Sequence, residues 1–209
     1  MTPLPLQPTG SAKRGQPGET GLNESRLCRT DEKSAMTPEQ IQETEFFQRH
    51  SRFALEVRQH IAASYFRDDV SNACLKCNSP LEAAFAAWWI AAVQTDPDRA
   101  LLIEQQVPVC LSGAQYRLDF VVSVNPEGLY GSYLTADREP PRIAIELDGH
   151  EFHERTKEQV DLRNARDRAL QINGWIVIHL SGSEFNRDPF GCVAQVLNDI
   201  RRVVHDALQ

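Results

Sequence analysis

The chain has 209 residues and a formal net charge of −7, which is enough length for one domain with a sizeable core and appendages. Its 41% hydrophobic and 8% aromatic content is typical of soluble globular proteins, and no apolar run approaches the roughly 20 residues that span a bilayer. Five cysteines without disulfide-framework spacing, and no apolar segment after Lys13 and Arg14, favour a cytoplasmic protein with no membrane partner.

The first part of the chain is predicted to be a tail followed by helices. Residues 1–35 are rich in proline and glycine and poor in large apolar side chains, which predicts a disordered tail. A helix is expected to begin after Thr37, because a proline and an acid follow this capping residue. A broken apolar stripe continues to about Phe66. Residues 36–78 are therefore a predicted helical extension, either docked on the next domain or offered as an arm to DNA, a protein partner or a second copy.

Cys74 and Cys77 form a C-x-x-C pair within this extension. A zinc finger would need a second such pair or two histidines at finger spacing, and neither follows. His60 and Cys28 are the only nearby candidates to complete a site. We therefore do not expect structural zinc at Cys74 and Cys77.

The strongest helix signal runs from Leu81 to Gln94, capped by Ser79 and Pro80. It is apolar on almost every side, and such a helix is expected to be buried. Glu82 lies in its first turn, where the helix dipole stabilises an acid whatever else that acid does.

Three strands, a helix, a strand and a final helix are predicted next, which gives an α/β fold. In order they cover about 101–111, 115–124, 142–149, 157–173, 175–180 and 188–207. The predicted packing side of the helix at 157–173 consists of four apolar residues: Leu162, Ala165, Ala169 and Ile172. Arg163, Arg166 and Asp167 are expected to lie away from it.

Acidic residues interrupt two of the predicted strands. Asp119 lies between Leu118 and Phe120, and Glu146 and Asp148 interrupt the third strand, where they share one face. Two carboxylates side by side at the end of a buried strand repel each other and are costly to desolvate, so a divalent cation between Glu146 and Asp148 would be stabilising. If the two strands are neighbours, Asp119 comes close to Glu146. At a sheet edge the same acids would face solvent.

Several phrases in this order resemble the PD-(D/E)XK nuclease superfamily and, more closely, the endonuclease-like domains related to very-short-patch-repair endonucleases. The phrases are S-P-L-E (79–82), R-L-D-F (117–120), E-L-D-G-H-E-F-H (146–153), D-L-R-N-A-R-D-R-A-L (161–170) and G-W-I-V-I (174–178). The resemblance implies a restriction-endonuclease-like αβββαβ core, a mixed four-stranded sheet flanked by helices, in residues 79–209. The superfamily's lysine, two residues after the second acid, is Asp148 here.

The resemblance also implies a Mg²⁺- or Mn²⁺-dependent hydrolase, an endodeoxyribonuclease that cuts DNA in repair, restriction or mobile-element processing. Asp119, Glu146 and the backbone carbonyl of Leu147 would bind the metal, and Glu82 would assist through a bound water. The implied catalytic residues are Asp119, Glu146, Asp148, His153 and Glu82.

Two histidines and two arginines complete the expected site. His153 is the best candidate for a general acid or base, because imidazole titrates near neutral pH, although a surface histidine would have the same sequence setting. His150 is expected to support it. Arg163 and Arg166 are implied to replace the absent lysine and to contact nucleic acid.

A different metal site would use Asp148, His150 and His153 as ligands for Zn²⁺ or Mn²⁺. It leaves Asp119 and Glu146 without a role.

The charge distribution supports a second hypothesis. Residues 1–79 carry ten basic and ten acidic side chains, so the whole acidic excess lies in the later part of the chain. Because phosphate neutralisation supplies most non-specific DNA affinity, this favours a non-catalytic member of the same fold that binds nucleic acid weakly or binds a protein. The retained acids favour the enzyme, since unpaired buried carboxylates destabilise a fold that does not use them.

Overall fold

The computed structural model describes residues 36–59, 66–95, 100–111, 113–125, 127, 139–149 and 156–208. The expectations for residues 1–35, Cys28, His60, His150 and His153 lie outside these ranges. The helical extension and the sheet belong to one compact unit. No helix in the described ranges is both long and apolar enough to cross a membrane.

The described chain alternates helices and strands in an α/β arrangement. The elements are α1 (Pro38–Glu43), α2 (Glu45–Gln59), α3 (Phe66–Cys74), α4 (Pro80–Thr95), β1 (Leu101–Leu111), β2 (Ala114–Val124), β3 (Arg142–Asp148), α5 (Lys157–Ile172), β4 (Trp175–Ser181), α6 (Gly182–Arg187) and α7 (Pro189–Leu208). The four predicted strands and the helices corresponding to α4, α5 and α7 are confirmed to within one or two residues. The short helix α3 lies within the predicted helical extension of residues 36–78 but was not predicted as a separate element, and α6, which follows β4 with no linker, was not predicted.

The sheet is mixed, as predicted, and its strands lie in the order β1-β2-β3-β4. β2 runs antiparallel to both β1 and β3, whereas β3 and β4 are parallel. Gly113 has a φ of +83° in the turn between β1 and β2, a conformation that glycine adopts without steric cost. The crossover between β3 and β4 includes α5, as parallel neighbours require a long connection.

The core is organised around α4. Its residues from Ala83 to Trp89 are all buried, so the predicted burial of this helix is confirmed. The ring of Phe85 lies 5.1 Å from that of Phe120 on β2 and 5.9 Å from that of Phe185 on α6. This packing holds α4 against the sheet. It therefore also fixes the first turn of α4, which carries Glu82.

The described part of the helical extension is docked on α4. Thr37 caps α1 in a capping box, as predicted, and Ile41, Phe47 and Ala54 are buried in the same core cluster as α4. Phe53 on α2 is exposed. Whether this outer face contacts a partner stays a prediction.

The predicted packing side of α5 was wrong. Leu162 and Ile172 are 61% and 85% exposed, whereas Arg163, Arg166 and Leu170 lie towards the sheet. The opposing sheet surface carries three polar side chains: Glu146, Asp148 and His179. Because these groups need charged or hydrogen-bonding partners, α5 presents its arginines to the sheet and leaves apolar side chains outside.

Candidate functional site

The site begins where β2 and β3 separate. The backbone ladder between them ends at the pair Phe120–Ile145, and the next step in this register places Asp119 opposite Glu146. There, Asp119 Oδ2 accepts a hydrogen bond of 2.9 Å from the backbone N–H of Leu147. The Asp119 carboxylate thus accepts the hydrogen bond that a backbone carbonyl of β2 would accept if the ladder continued. Because the N–H and C=O of one strand residue project to the same side, the Leu147 carbonyl faces this gap as well.

Glu146 is a buried carboxylate with one engaged oxygen. Its Oε2 accepts a hydrogen bond of 2.8 Å from Arg166 Nη2 on α5. Its Oε1 is buried and has no hydrogen-bond partner. Burial first, and then the charge of Asp119, raise the pKa of Glu146 to about 7. Glu146 therefore offers an acceptor oxygen that the protein itself does not use.

Asp119 lies between its acidic neighbours and groups that stabilise its charge. Burial raises the pKa of Asp119, while the Leu147 N–H, the Arg166 charge and the side-chain amide of Gln106 oppose that rise. Its charge in turn raises the pKa of Glu82 and of Glu146. The structure therefore brings three predicted site acids close enough for their charges to interact.

Glu82 both caps its helix and faces Asp119. Its Oε1 accepts a hydrogen bond of 2.8 Å from the Ser79 hydroxyl, and its Oε2 accepts from the Asn78 backbone N–H at 2.8 Å. Burial, followed by the charge of Asp119, raises the pKa of Glu82 to about 7. Glu82 thus stabilises the start of α4 and also lies close to Asp119, so the two roles that the sequence left open are compatible.

Asp148 belongs mainly to a neighbouring network. Its Oδ2 lies 2.6 Å from Arg163 Nη2 and 3.3 Å from His179 Nδ1. His179 Nε2 in turn lies 3.0 Å from Asp167 Oδ2. The position at which the sequence resemblance expects a lysine is therefore occupied by an acid that pairs with Arg163 on α5 and contacts His179 on β4.

Arg163 and Arg166, expected to contact nucleic acid, point inward. Their side chains are 18% and 26% exposed, and each pairs with an acid of β3. Burial alone would lower the pKa of Arg166, but the surrounding carboxylates, Glu146 foremost, hold it above its ordinary value. Arg166 is thus the fixed positive charge beside Glu146 and Asp119.

Two residues of this region were missed by the sequence analysis. Gln106 on β1 contacts Glu82 and Asp119 through its amide. His179 lies directly opposite Glu146 in the parallel register of β3 and β4. A lone histidine within the apolar run of β4 was a usable signal for His179, whereas a glutamine in an exposed strand gave none.

The cysteine pair is buried at the end of α3. Burial raises the pKa of Cys74 to about 11 and that of Cys77 further, with the charge of Glu82 contributing to the second shift. Cys77 Sγ donates a hydrogen bond of 3.2 Å to the Ala73 carbonyl. Both thiols therefore lie in apolar surroundings that disfavour the thiolate.

The oxygen atoms around Asp119 and Glu146 are the candidate ligands for a divalent ion. Within the described ranges, no group of three or more His, Cys, Asp or Glu side chains is arranged to hold a metal ion by itself. Mg²⁺, however, commonly binds one or two carboxylates and retains several waters. Asp119, the unpartnered Oε1 of Glu146 and the Leu147 carbonyl suit that requirement.

Comparison of the chain with protein-family models, with curated proteins and with solved structures gave no significant match. The function therefore has to be inferred from the site itself.

Proposed function

We propose that this chain is a Mg²⁺- or Mn²⁺-dependent DNA endonuclease with a restriction-endonuclease-like αβββαβ core, which hydrolyses phosphodiester bonds. The observation that carries the proposal is the pair of carboxylates at the point where β2 and β3 separate, the buried Glu146 and the half-buried Asp119. DNA as the substrate rests on the sequence resemblance.

A cation is the simplest explanation for this pair. Burial disfavours the ionised form of each carboxylate and raises the pKa of both. The charge of Asp119 further raises the pKa of Glu146, and the charge of Asp148 further raises that of Asp119. Arg166 engages only Oε2 of Glu146 and leaves Oε1 without a partner. Asp119, Glu146 and the Leu147 carbonyl would hold a divalent ion, which would offset the repulsion between the acids.

A bound divalent ion supplies Lewis-acid polarisation of a phosphoryl oxygen and activates water. The chain's own residues supply the rest of the electrostatics. Arg166 places a permanent positive charge beside the two carboxylates, the role implied for the missing lysine, and its planar guanidinium also suits phosphate. Glu82 is held against Asp119 by the start of α4. The assignment of His153 as the general acid or base stays a prediction.

One observation favours a non-catalytic module of the same fold. The ion pairs Arg166–Glu146 and Arg163–Asp148 already neutralise two of the acids without any metal. Together with the net charge of −7, this would suit a domain that binds nucleic acid weakly or binds a protein.

Nicking of supercoiled plasmid DNA separates the two functions. Wild type should convert it to the open circle with Mg²⁺ or Mn²⁺, and Asp119→Ala should not, while the exposed Asp161→Asn on α5 serves as the matched acid control. DNA retention on a gel shift without nicking by wild type in either metal would favour the non-catalytic module. Neither retention nor nicking would reject the endonuclease and the nucleic-acid-binding form of the module, and would leave protein binding.

A further inference from the structure

Gln106 on β1 has a backbone conformation that residues other than glycine rarely adopt. Its φ is +55°, and among the described residues it is the only non-glycine residue with a positive φ. The β1–β2 register passes from Gln105–Phe120 to Val107–Leu118, so Gln106 stands opposite Asp119 in the interrupted step. Such conformations are strained, and folded proteins retain them mainly at functional sites.

The side-chain amide of Gln106 lies between the acids of the site. Its Nε2 donates a hydrogen bond of 2.7 Å to Glu82 Oε2, and from its position opposite Asp119 the same side chain opposes the rise in the pKa of Asp119. Its Oε1 accepts a hydrogen bond from Asn78 Nδ2. The contact with Asn78 fixes the orientation of the amide, because the oxygen is engaged there and the NH₂ group must face the two carboxylates.

We propose that Gln106 is a positioning residue that holds Asp119 for the divalent ion, an inference that rests on the proposed metal-dependent function. Two like-charged carboxylates in a buried site turn away from each other unless a donor lies between them. An amide supplies two N–H donors and no charge. A lysine or arginine at the same place would add a second fixed positive charge to that of Arg166 and compete with the metal ion, whereas a neutral donor does not. Gln106 does not touch the metal in this scheme; it holds an acid that does.

The alternative is that Gln106 only joins β1 to the start of α4 and stabilises the fold. Two substitutions separate these roles. Gln106→Met has similar length and keeps the demand for a positive φ, but it removes the donors. Gln106→Gly removes the side chain and relieves the backbone strain, so it keeps the inference testable if the methionine variant fails to fold. Gln115→Ala, at an exposed glutamine on β2, is the control.

The experiment is a titration of the full chain with Mn²⁺ by isothermal calorimetry, with the melting temperature of each metal-free variant measured in parallel. Loss of a partner that orients a metal ligand typically weakens metal binding 10- to 100-fold. We expect a weakening of about that size in both Gln106 variants and wild-type affinity in Gln115→Ala. A purely structural role would lower the melting temperature without changing the Mn²⁺ affinity of the folded protein.

The outcomes distinguish the inference from the function on which it rests. If wild type binds Mn²⁺ and either folded Gln106 variant binds it equally well, the positioning role is overturned and the metal site stands. If wild type itself binds no Mn²⁺, the proposed function fails and the positioning role fails with it.

Discussion

Replacing Glu146 by glutamine should stabilise the metal-free protein at alkaline pH. Burial and the Asp119 charge raise the pKa of Glu146 from 4.5 to about 7. Because the folded-state pKa lies above the unfolded one, ionisation disfavours the folded state, and stability falls as the pH rises from about 4.5 through about 7. The full shift corresponds to about 3 kcal/mol at pH 8. This figure already contains the attraction of Arg166, since that attraction opposes the shift.

Urea denaturation in EDTA at pH 8 and pH 5 measures this effect. The free energy of unfolding of Glu146→Gln should exceed that of wild type by about 3 kcal/mol at pH 8, and most of the difference should vanish at pH 5, where wild-type Glu146 is largely protonated. Glu104→Gln, at an exposed position on β1, should show no such pH-dependent difference. An equal gap between Glu146→Gln and wild type at both pH values would refute the reasoning.

Added metal should close most of the stability gap between the two proteins. An ion at about 100 times its Kd stabilises a folded protein by roughly 2.7 kcal/mol. Wild type should gain that stability with Mn²⁺ at pH 8, and Glu146→Gln should gain almost none. Equal responses would show that Glu146 is not a ligand.

Three further predictions concern the fold. Phe85→Ala should lower the free energy of unfolding by about 3–5 kcal/mol in urea denaturation, because Phe85 is fully buried, while Phe53→Ala at an exposed position should cost far less. Ile172→Lys should leave the melting temperature nearly unchanged and Leu170→Lys should unfold the protein; the opposite ranking would mean that α5 packs through its apolar side after all. Burial, only partly opposed by a hydrogen bond to Asn186, lowers the pKa of His50 below 6.5. The protein should therefore lose stability as the pH falls below 6.5. Urea denaturation at pH 7.5 and 5.5 should show a smaller loss of stability at the lower pH for His50→Leu than for wild type.

Strands and the central helix could be predicted from the sequence because their signals are local. The runs that became β1 to β4 combine β-branched residues with turn signals at their ends, and α4 is apolar on almost every side. The two strand acids were found for the same reason. Asp119 and Glu146 interrupt otherwise apolar runs, and a polar residue in such a run is visible without knowing its neighbours.

The orientation of α5 was not predictable from its own residues. Its four apolar positions have helical spacing, so they gave the usual pattern of a packing side. The sheet surface it covers is apolar in one part, where Leu170 packs with Leu118 and Ala144, and charged in another. In the charged part, Arg163 and Arg166 are stabilised by acids on a different element, Asp148 and Glu146. A helix that packs through ion pairs shows this only once its partner strand is known.

Gln106 was missed for a related reason. Glutamine in a strand has no distinguishing local signal, and its positive φ depends on the interrupted pairing opposite Asp119. Its importance comes from two carboxylates contributed by α4 and β2. Long-range contacts of this kind fix the details of a site after local patterns have fixed its elements.

Single-turnover cleavage of an end-labelled DNA duplex over a range of Mn²⁺ concentrations tests the central claim most directly, with wild type compared to Asp119→Asn. We predict that wild type forms product at a rate that saturates with Mn²⁺, that EDTA abolishes it, and that Asp119→Asn forms none at any concentration. Cleavage that survives EDTA, or that proceeds equally well without the Asp119 carboxylate, would contradict a metal-dependent site at Asp119 and Glu146.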